Sequence, residues 1–113
     1  MITIFHNPRC SKSREGLALL EESGKEFEVV RYLENTLSVA ELKELIKKLG
    51  IKPVELVRKN EAIWKSEYKD QDLTDNEILE AMVRHPKLIE RPIVVYKNKA
   101  VVGRPSEKIL EII

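Results

Sequence analysis

The order of predicted elements points to an α/β fold, a four-stranded mixed sheet flanked by helices, with a helical insertion between a β-α-β half and a β-β-α half. Three observations carry this reading. A short apolar run ends at Pro8 and leads into a helix-opening segment; two Ser/Thr-x-x-Glu capping boxes fall mid-chain; two β-branched runs flank Lys97-Asn98-Lys99. The 113 residues fit a single domain whose core needs neither disulfide nor structural metal.

Residues 1–5, with Ile2, Ile4 and Phe5, read as a buried first strand. Pro8 stops it by offering no N–H to a ladder, and Ser11 and Ser13 are small polar residues suited to a helix start. Leu17, Ala18 and Leu20 recur at helical spacing up to Gly24, a C-cap. Residues 27–33 are rich in β-branched and aromatic side chains and form a second strand. A strand-helix-strand unit this short pairs its strands in parallel through a right-handed crossover.

Ser38 and Glu41 make the first capping box, followed by Leu42, Leu45, Ile46 and Leu49 on one helical stripe and by Gly50 as terminator. Pro53 opens a short helix carrying Leu56, Val57 and Arg58. Residues 59–72 are polar and the least regular stretch, with Trp64 and Tyr68 spaced to share a helix face. Thr74 and Glu77 make the second box, with Ile78, Leu79, Met82 and Val83 as its apolar stripe; His85 is expected to cap that helix and to have no catalytic role. Residues 93–96 and 100–102 flank the Lys97-Asn98-Lys99 turn of an antiparallel hairpin, closed by Gly103-Arg104-Pro105. A final helix from Pro105 returns Ile109, Leu110, Ile112 and Ile113 to the sheet. Two parallel strands joined to an antiparallel hairpin make the thioredoxin arrangement.

Composition narrows the function classes. With 20 Lys and Arg against 19 Asp and Glu, the net charge of +1 gives no global field for nucleic acid or an anionic membrane. No apolar run approaches the length of a bilayer span, and no basic leader with an apolar core opens the chain, so a cytoplasmic location is expected. One cysteine cannot make an intrachain disulfide, and one cysteine with two histidines makes no zinc site; chemistry without a bound cofactor or metal is expected.

That cysteine, Cys10, lies in His6-Asn7-Pro8-Arg9-Cys10-Ser11-Lys12-Ser13-Arg14, between the first strand and the first helix. A helix N-terminus presents unpaired N–H groups and the positive end of the peptide dipoles, which favour thiolate over thiol. From an ordinary pKa of about 8.5 only about 3% of a thiol is ionised at neutral pH, and lowering it by about two units takes roughly 2.7 kcal/mol. The polar, basic setting of Cys10 argues against a buried structural cysteine. Cys10-Ser11-Lys12-Ser13 is a Cys-x-x-Ser, the one-thiol form of the redox motif of thioredoxin-like proteins, so an adduct on Cys10 must be resolved by an external thiol. Pro92, just before a hairpin strand, is a cis-proline candidate that would place backbone opposite the thiol.

Six segments together resemble the ArsC-type arsenate reductases, the family coupled to glutathione and glutaredoxin. They are His6-Asn7-Pro8-x-Cys10 with Ser13-Arg14, Tyr32-Leu33-Glu34-Asn35, Arg58-Lys59-Asn60-Glu61, His85-Pro86 with Leu88-Ile89, Arg91-Pro92-Ile93-Val94-Val95, and Arg104-Pro105-Ser106-Glu107. The resemblance covers essentially the whole chain and implies one thioredoxin-like domain, residues 1–113, with its helical insertion at about 38–85. It implies that Cys10 attacks arsenate, that glutathione joins the adduct as co-substrate, and that glutaredoxin releases arsenite from a monomeric enzyme. Arg58, Arg91 and Arg104 would hold the oxyanion, while His6, Asn7, Ser13 and Arg14 would support the thiolate. Arginine forks suit tetrahedral oxyanions better than lysine does.

The chain departs from the family pattern at Ser11-Lys12, where Gly-Thr is usual, and ends at Ile113 without the tail of longer members. Two other readings stand beside the first. One is a glutathione-dependent thiol reductase of the same family. The other is a regulator resembling Spx, which binds RNA polymerase; such proteins usually carry Cys-x-x-Cys, whereas position 13 here is Ser13, and usually lack the arginine and proline of Gly103-Arg104-Pro105.

Overall fold

The computed structural model describes residues 1–113, which form two compact units, Met1–Asn35 with Arg91–Ile113, and Thr36–Glu90. In the first unit, β1 (Ile2–Phe5), α1 (Ser11–Ser23) and β2 (Phe27–Val30) make the β-α-β half, and β3 (Ile93–Tyr96) and β4 (Lys99–Val102) make the hairpin. The sheet order is β2-β1-β3-β4, with β1 parallel to β2 and antiparallel to β3, and β3 antiparallel to β4. The His6 N–H donates to the Val30 carbonyl at 2.9 Å, carrying the parallel pairing one step past Phe5. Pro8 follows at once, so β1 ends there and the chain is free to turn towards α1.

The core of this unit follows from the period of two along β1. Ile2 and Ile4 point inward and meet Leu20 of α1, Val94 of β3 and Ile109 of the C-terminal 3-10 helix Ser106–Glu111. Each such side chain contributes about 1.5–3 kcal/mol of burial. The inward stripe of α1 is Ser13, Gly16 and Leu20, so Ala18, expected on the apolar face, is exposed. Gly24 ends the helix at φ 74°, a left-handed cap that a residue with a Cβ adopts only at a cost.

Three local expectations are revised. The second strand stops at Val30 because its partner runs out at Phe5; the chain then turns, with the N–H groups of Glu34 and Asn35 on the Arg31 carbonyl, burying Tyr32 and exposing Leu33. The hairpin loop is only Lys97-Asn98, since Lys99 pairs with Tyr96, and Lys97 takes φ 59° as a tight two-residue loop demands. The last helix is 3-10, whose three-residue repeat puts Ile109 and Ile112 on the packed side and leaves Leu110 57% exposed.

The second unit is helical: α2 (Val39–Leu49), α3 (Ala62–Glu67) and α4 (Asp75–Arg84), with 3-10 turns at Pro53–Leu56 and Pro86–Leu88. Both capping boxes form, Ser38 Oγ accepting from Glu41 N–H at 3.1 Å and Thr74 Oγ1 from Glu77 N–H at 3.2 Å, with each glutamate returning to the cap N–H. Leu42, Leu45, Ile46, Leu56, Ile78, Leu79, Met82 and Leu88 are buried. Helix α3 occupies part of the stretch expected to be irregular, and it aligns Trp64 and Tyr68 in a stack with ring centroids 5.6 Å apart. His85 is the C-cap residue of α4, its N–H on the Ala81 carbonyl and its ring edge-on to Tyr68. No helix is long and apolar enough to cross a membrane.

Candidate active site

Cys10 is the N-cap residue of α1, reached by a loop that the sequence closes on itself. The Asn7 side-chain Oδ1 accepts from the Arg9 N–H at 3.0 Å, the Asn7 carbonyl accepts from the Cys10 N–H at 3.1 Å, and Arg14 Nη1 donates to the Pro8 carbonyl at 3.0 Å. The Cys10 carbonyl accepts the first helical bond, from Arg14 N–H at 3.0 Å. With no side-chain capping bond of its own, the thiol is left at the mouth of the helix, partly exposed.

Burial alone would push the Cys10 thiol up, but the Ser13 backbone N–H, the hydrogen bond and charge of Arg91, and the Lys12 backbone N–H together bring it below the ordinary thiol value. Arg104 Nη1 stands 4.0 Å from Sγ and also donates to the Arg91 carbonyl at 3.2 Å, so the two arginines are tied to one another as well as to the sulfur. Both precede prolines, and both Arg91–Pro92 and Arg104–Pro105 peptide bonds are cis. Two guanidiniums and two helix-terminal N–H groups around one accessible thiolate form a site for a nucleophile to meet an anion.

Ser13 holds the loop with its hydroxyl. Its Oγ lies 2.7 Å from His6 Nδ1, in a bond whose direction follows the imidazole tautomer, and accepts from the Asn7 N–H at 3.0 Å. All three residues are buried. His6 and Asn7 thus reach the thiol through Ser13 and the backbone. Lys12, the departure from the family pattern, turns outward to Glu15 at 3.5 Å in an exposed pair. Arg58 lies in the second unit: the Val57–Ile89 bridge and the Arg58 N–H to Leu88 carbonyl bond bring it beside Glu90, which its Nη1 meets at 2.8 Å, with Glu61 at 3.8 Å. No group of three or more His, Cys, Asp or Glu side chains gathers to hold a metal ion.

Residues 5–112 match the model of the ArsC family. This chain belongs to the ArsC family. It is 50% identical to the uncharacterized protein YfgD of Escherichia coli K12, covering 99% of this chain and 96% of that one. It is 46% identical to the arsenate reductase of Haemophilus influenzae, over 99% and 98% of the two chains. Among solved structures, the arsenate reductase of Vibrio cholerae is 49% identical and superposes with a TM-score of 0.94, over 99% of this chain and 97% of that one. The fold is therefore the thioredoxin-like one of ArsC proteins, with its mixed sheet flanked by helices.

In this ArsC-family site, sequence reasoning missed what stands behind the arginines. Gly16 and Gly103 are buried against Pro92 and Ile109. A glycine inside a helix, where it costs about 0.5–1 kcal/mol relative to alanine, is the signal that could have found Gly16.

His6 yields a prediction here. Burial first, then the charges of Arg31 and Arg14, hold its imidazole below the ordinary range against the opposing bond from Ser13. Its folded pKa is below its unfolded one, so the unfolded chain binds the extra proton and stability falls as pH drops below about 6.5, levelling off only beneath the folded value. Melting temperatures between about pH 7.5 and 5.5 should decline for the wild type and decline less for His6→Asn. Parallel declines would remove His6 as the titrating group.

Proposed function

We propose that the chain reduces arsenate to arsenite, with Cys10 as nucleophile and thiols supplied from outside. The observation that carries this is the pair of arginines on a thiol already biased towards thiolate, Arg91 by hydrogen bond and charge and Arg104 with Nη1 4.0 Å from Sγ. A tetrahedral oxyanion offers several oxygens to two guanidinium forks, and binding there sets its central atom against the sulfur. The thiolate displaces one arsenate oxygen, which leaves as water after taking a proton, and forms a sulfur–arsenic bond. One thiol of glutathione then displaces a second oxygen. Attack by a glutaredoxin thiol on the glutathione sulfur forms a mixed disulfide, and the two electrons released reduce As(V) to As(III). Hydrolysis frees arsenite and restores Cys10.

The single cysteine supports an external resolving thiol, because no second sulfur in the chain can form an internal disulfide. Such thiols are kept reduced in the cytoplasm, where we place the reaction. Relatives of nearly half identity bear the name arsenate reductase, which adds weight to the substrate. The test is NADPH consumption by purified protein with arsenate, glutathione, glutaredoxin and glutathione reductase. Turnover that rises with arsenate and saturates is expected. Turnover independent of arsenate, seen equally with a small disulfide substrate, would favour the glutathione-dependent thiol reductase instead.

A further inference from the structure

Two glycines of the first unit, Gly16 in α1 and Gly103 after β4, are needed for room rather than for backbone freedom, since neither has a positive φ. A Cβ on Gly16 would lie 2.9 Å from Pro92 Cγ and 3.2 Å from Ile109 Cδ1. A Cβ on Gly103 would lie 3.0 Å and 3.1 Å from Ile109 Cδ1 and Cγ1 and 3.2 Å from Pro92 Cγ. The Pro92 ring and the Ile109 side chain, both fully buried, therefore crowd the same space at both glycines. Pro92 follows Arg91, and Gly103 precedes Arg104, so the packed cluster is joined to both arginines by a single peptide bond each.

The hydrogen bonds complete the link. The Gly103 N–H donates to the Pro92 carbonyl at 2.9 Å, and Arg104 Nη1 donates to the Arg91 carbonyl at 3.2 Å. Any displacement of Pro92 from Gly103 thus moves the two arginines relative to each other. We propose that Ile109, wedged with Pro92 between Gly16 and Gly103, is a positioning residue that sets how Arg91 and Arg104 are presented to Cys10. It acts from the C-terminal 3-10 helix, its own side chain carrying neither charge nor nucleophile, and reaches the chemistry only through Pro92 and Gly103. Close-packed interiors transmit shifts of tenths of an ångström because no void absorbs them. For the catalytic consequence this inference rests on the arsenate reading, but its geometric part does not.

The experiment reads the thiol directly. Cys10 is the only cysteine, so the pH dependence of iodoacetamide alkylation reports its pKa without separating other thiols. Gly103→Ala should raise the midpoint by about half a unit, slowing alkylation at neutral pH about threefold, and raise the KM for arsenate more than it lowers kcat. Ile109→Val, which deletes the Cδ1 nearest the new methyl, should restore both in the double variant. The same Ile109→Val change should not rescue Gly16→Ala, whose closest clash, at 2.9 Å, is with Pro92 itself. Gly16→Ala also improves helix propensity, so a loss there does not come from the helix.

Unchanged midpoints in folded Gly103→Ala and Gly16→Ala would overturn the proposal, as would equal rescue of both by Ile109→Val. If Gly103→Ala does not fold, Ile109→Val alone decides, since the slack behind Pro92 must then move the alkylation midpoint. Absence of arsenate turnover in the wild type together with the expected alkylation pattern would refute the substrate and leave the positioning role standing.

Discussion

Cys10→Ser is expected to leave less than about one-thousandth of the arsenate turnover, the largest effect of any single change in the chain. The substitution preserves the N-cap position and the surrounding N–H groups, and serine caps a helix well. What it removes is a nucleophile that ionises in the accessible range. A hydroxyl at the same helix terminus stays protonated at neutral pH, so neither the Ser13 and Lys12 N–H groups nor Arg91 has an anion to stabilise. NADPH-coupled turnover and quantitative recovery of the folded protein are measured together. Residual turnover within tenfold of the wild type would assign the reaction to another group and end the Cys10 mechanism.

Arg91→Leu and Arg104→Leu should each lower kcat/KM for arsenate about 10- to 100-fold, the loss of one charge-assisted hydrogen bond at about 1.5–3 kcal/mol. Their second readouts differ. Arg91 both bonds to Sγ and lends its charge to it, so Arg91→Leu should also raise the midpoint of Cys10 alkylation clearly. Arg104 stands at 4.0 Å, at the outer limit of a bond to sulfur, so Arg104→Leu should weaken arsenate binding while moving the thiol less. Lysine at either position restores charge without the fork and should recover only part of the loss. Equal alkylation midpoints in Arg91→Leu and wild type would remove Arg91 as an activator of the thiol.

Much of the frame was legible because it is encoded locally. Ser38 with Glu41 and Thr74 with Glu77 announce their helices through bonds made within one turn, and Gly24 and Gly50 end theirs at positive φ. The extent of β2 was not legible, because strand length is set by where its partner stops, which is a tertiary fact. Helix α3 lacks a side-chain cap and is only six residues long, so its signal is weak beside Trp64 and Tyr68, whose spacing was visible. The last helix takes 3-10 over α geometry, burying Ile109 and packing the partly buried Ile112 against the same core, which periodicity in the short segment did not reveal.

For the site, residue chemistry pointed to Cys10 at a helix terminus, and the structure has it there as the N-cap residue. Spacing could not bring residues near 91 and 104 to a thiol at position 10; the β1–β3 pairing and the turn after β4 do that. The use of the Ser13 hydroxyl by His6 and Asn7 was likewise hidden, since it depends on the loop closing back on α1. Lys12, the departure from the family pattern, pairs along the helix with Glu15, the ordinary fate of charges three apart on a helix surface.

The separation of the chain into two units gives it a natural pair of probes. Its one tryptophan, Trp64, is buried in Thr36–Glu90 and stacked on Tyr68, while its one thiol, Cys10, belongs to Met1–Asn35 with Arg91–Ile113. Indole emission therefore follows the melting of one unit, with no engineered reporter in either. Cys10, already accessible when folded, reports the other because unfolding removes the Arg91 and helix-terminal contacts that lower its pKa and so slows its labelling at neutral pH. Coincident transitions in denaturant identify the two as a single cooperative block, and a gap between them measures the free energy by which one outlasts the other.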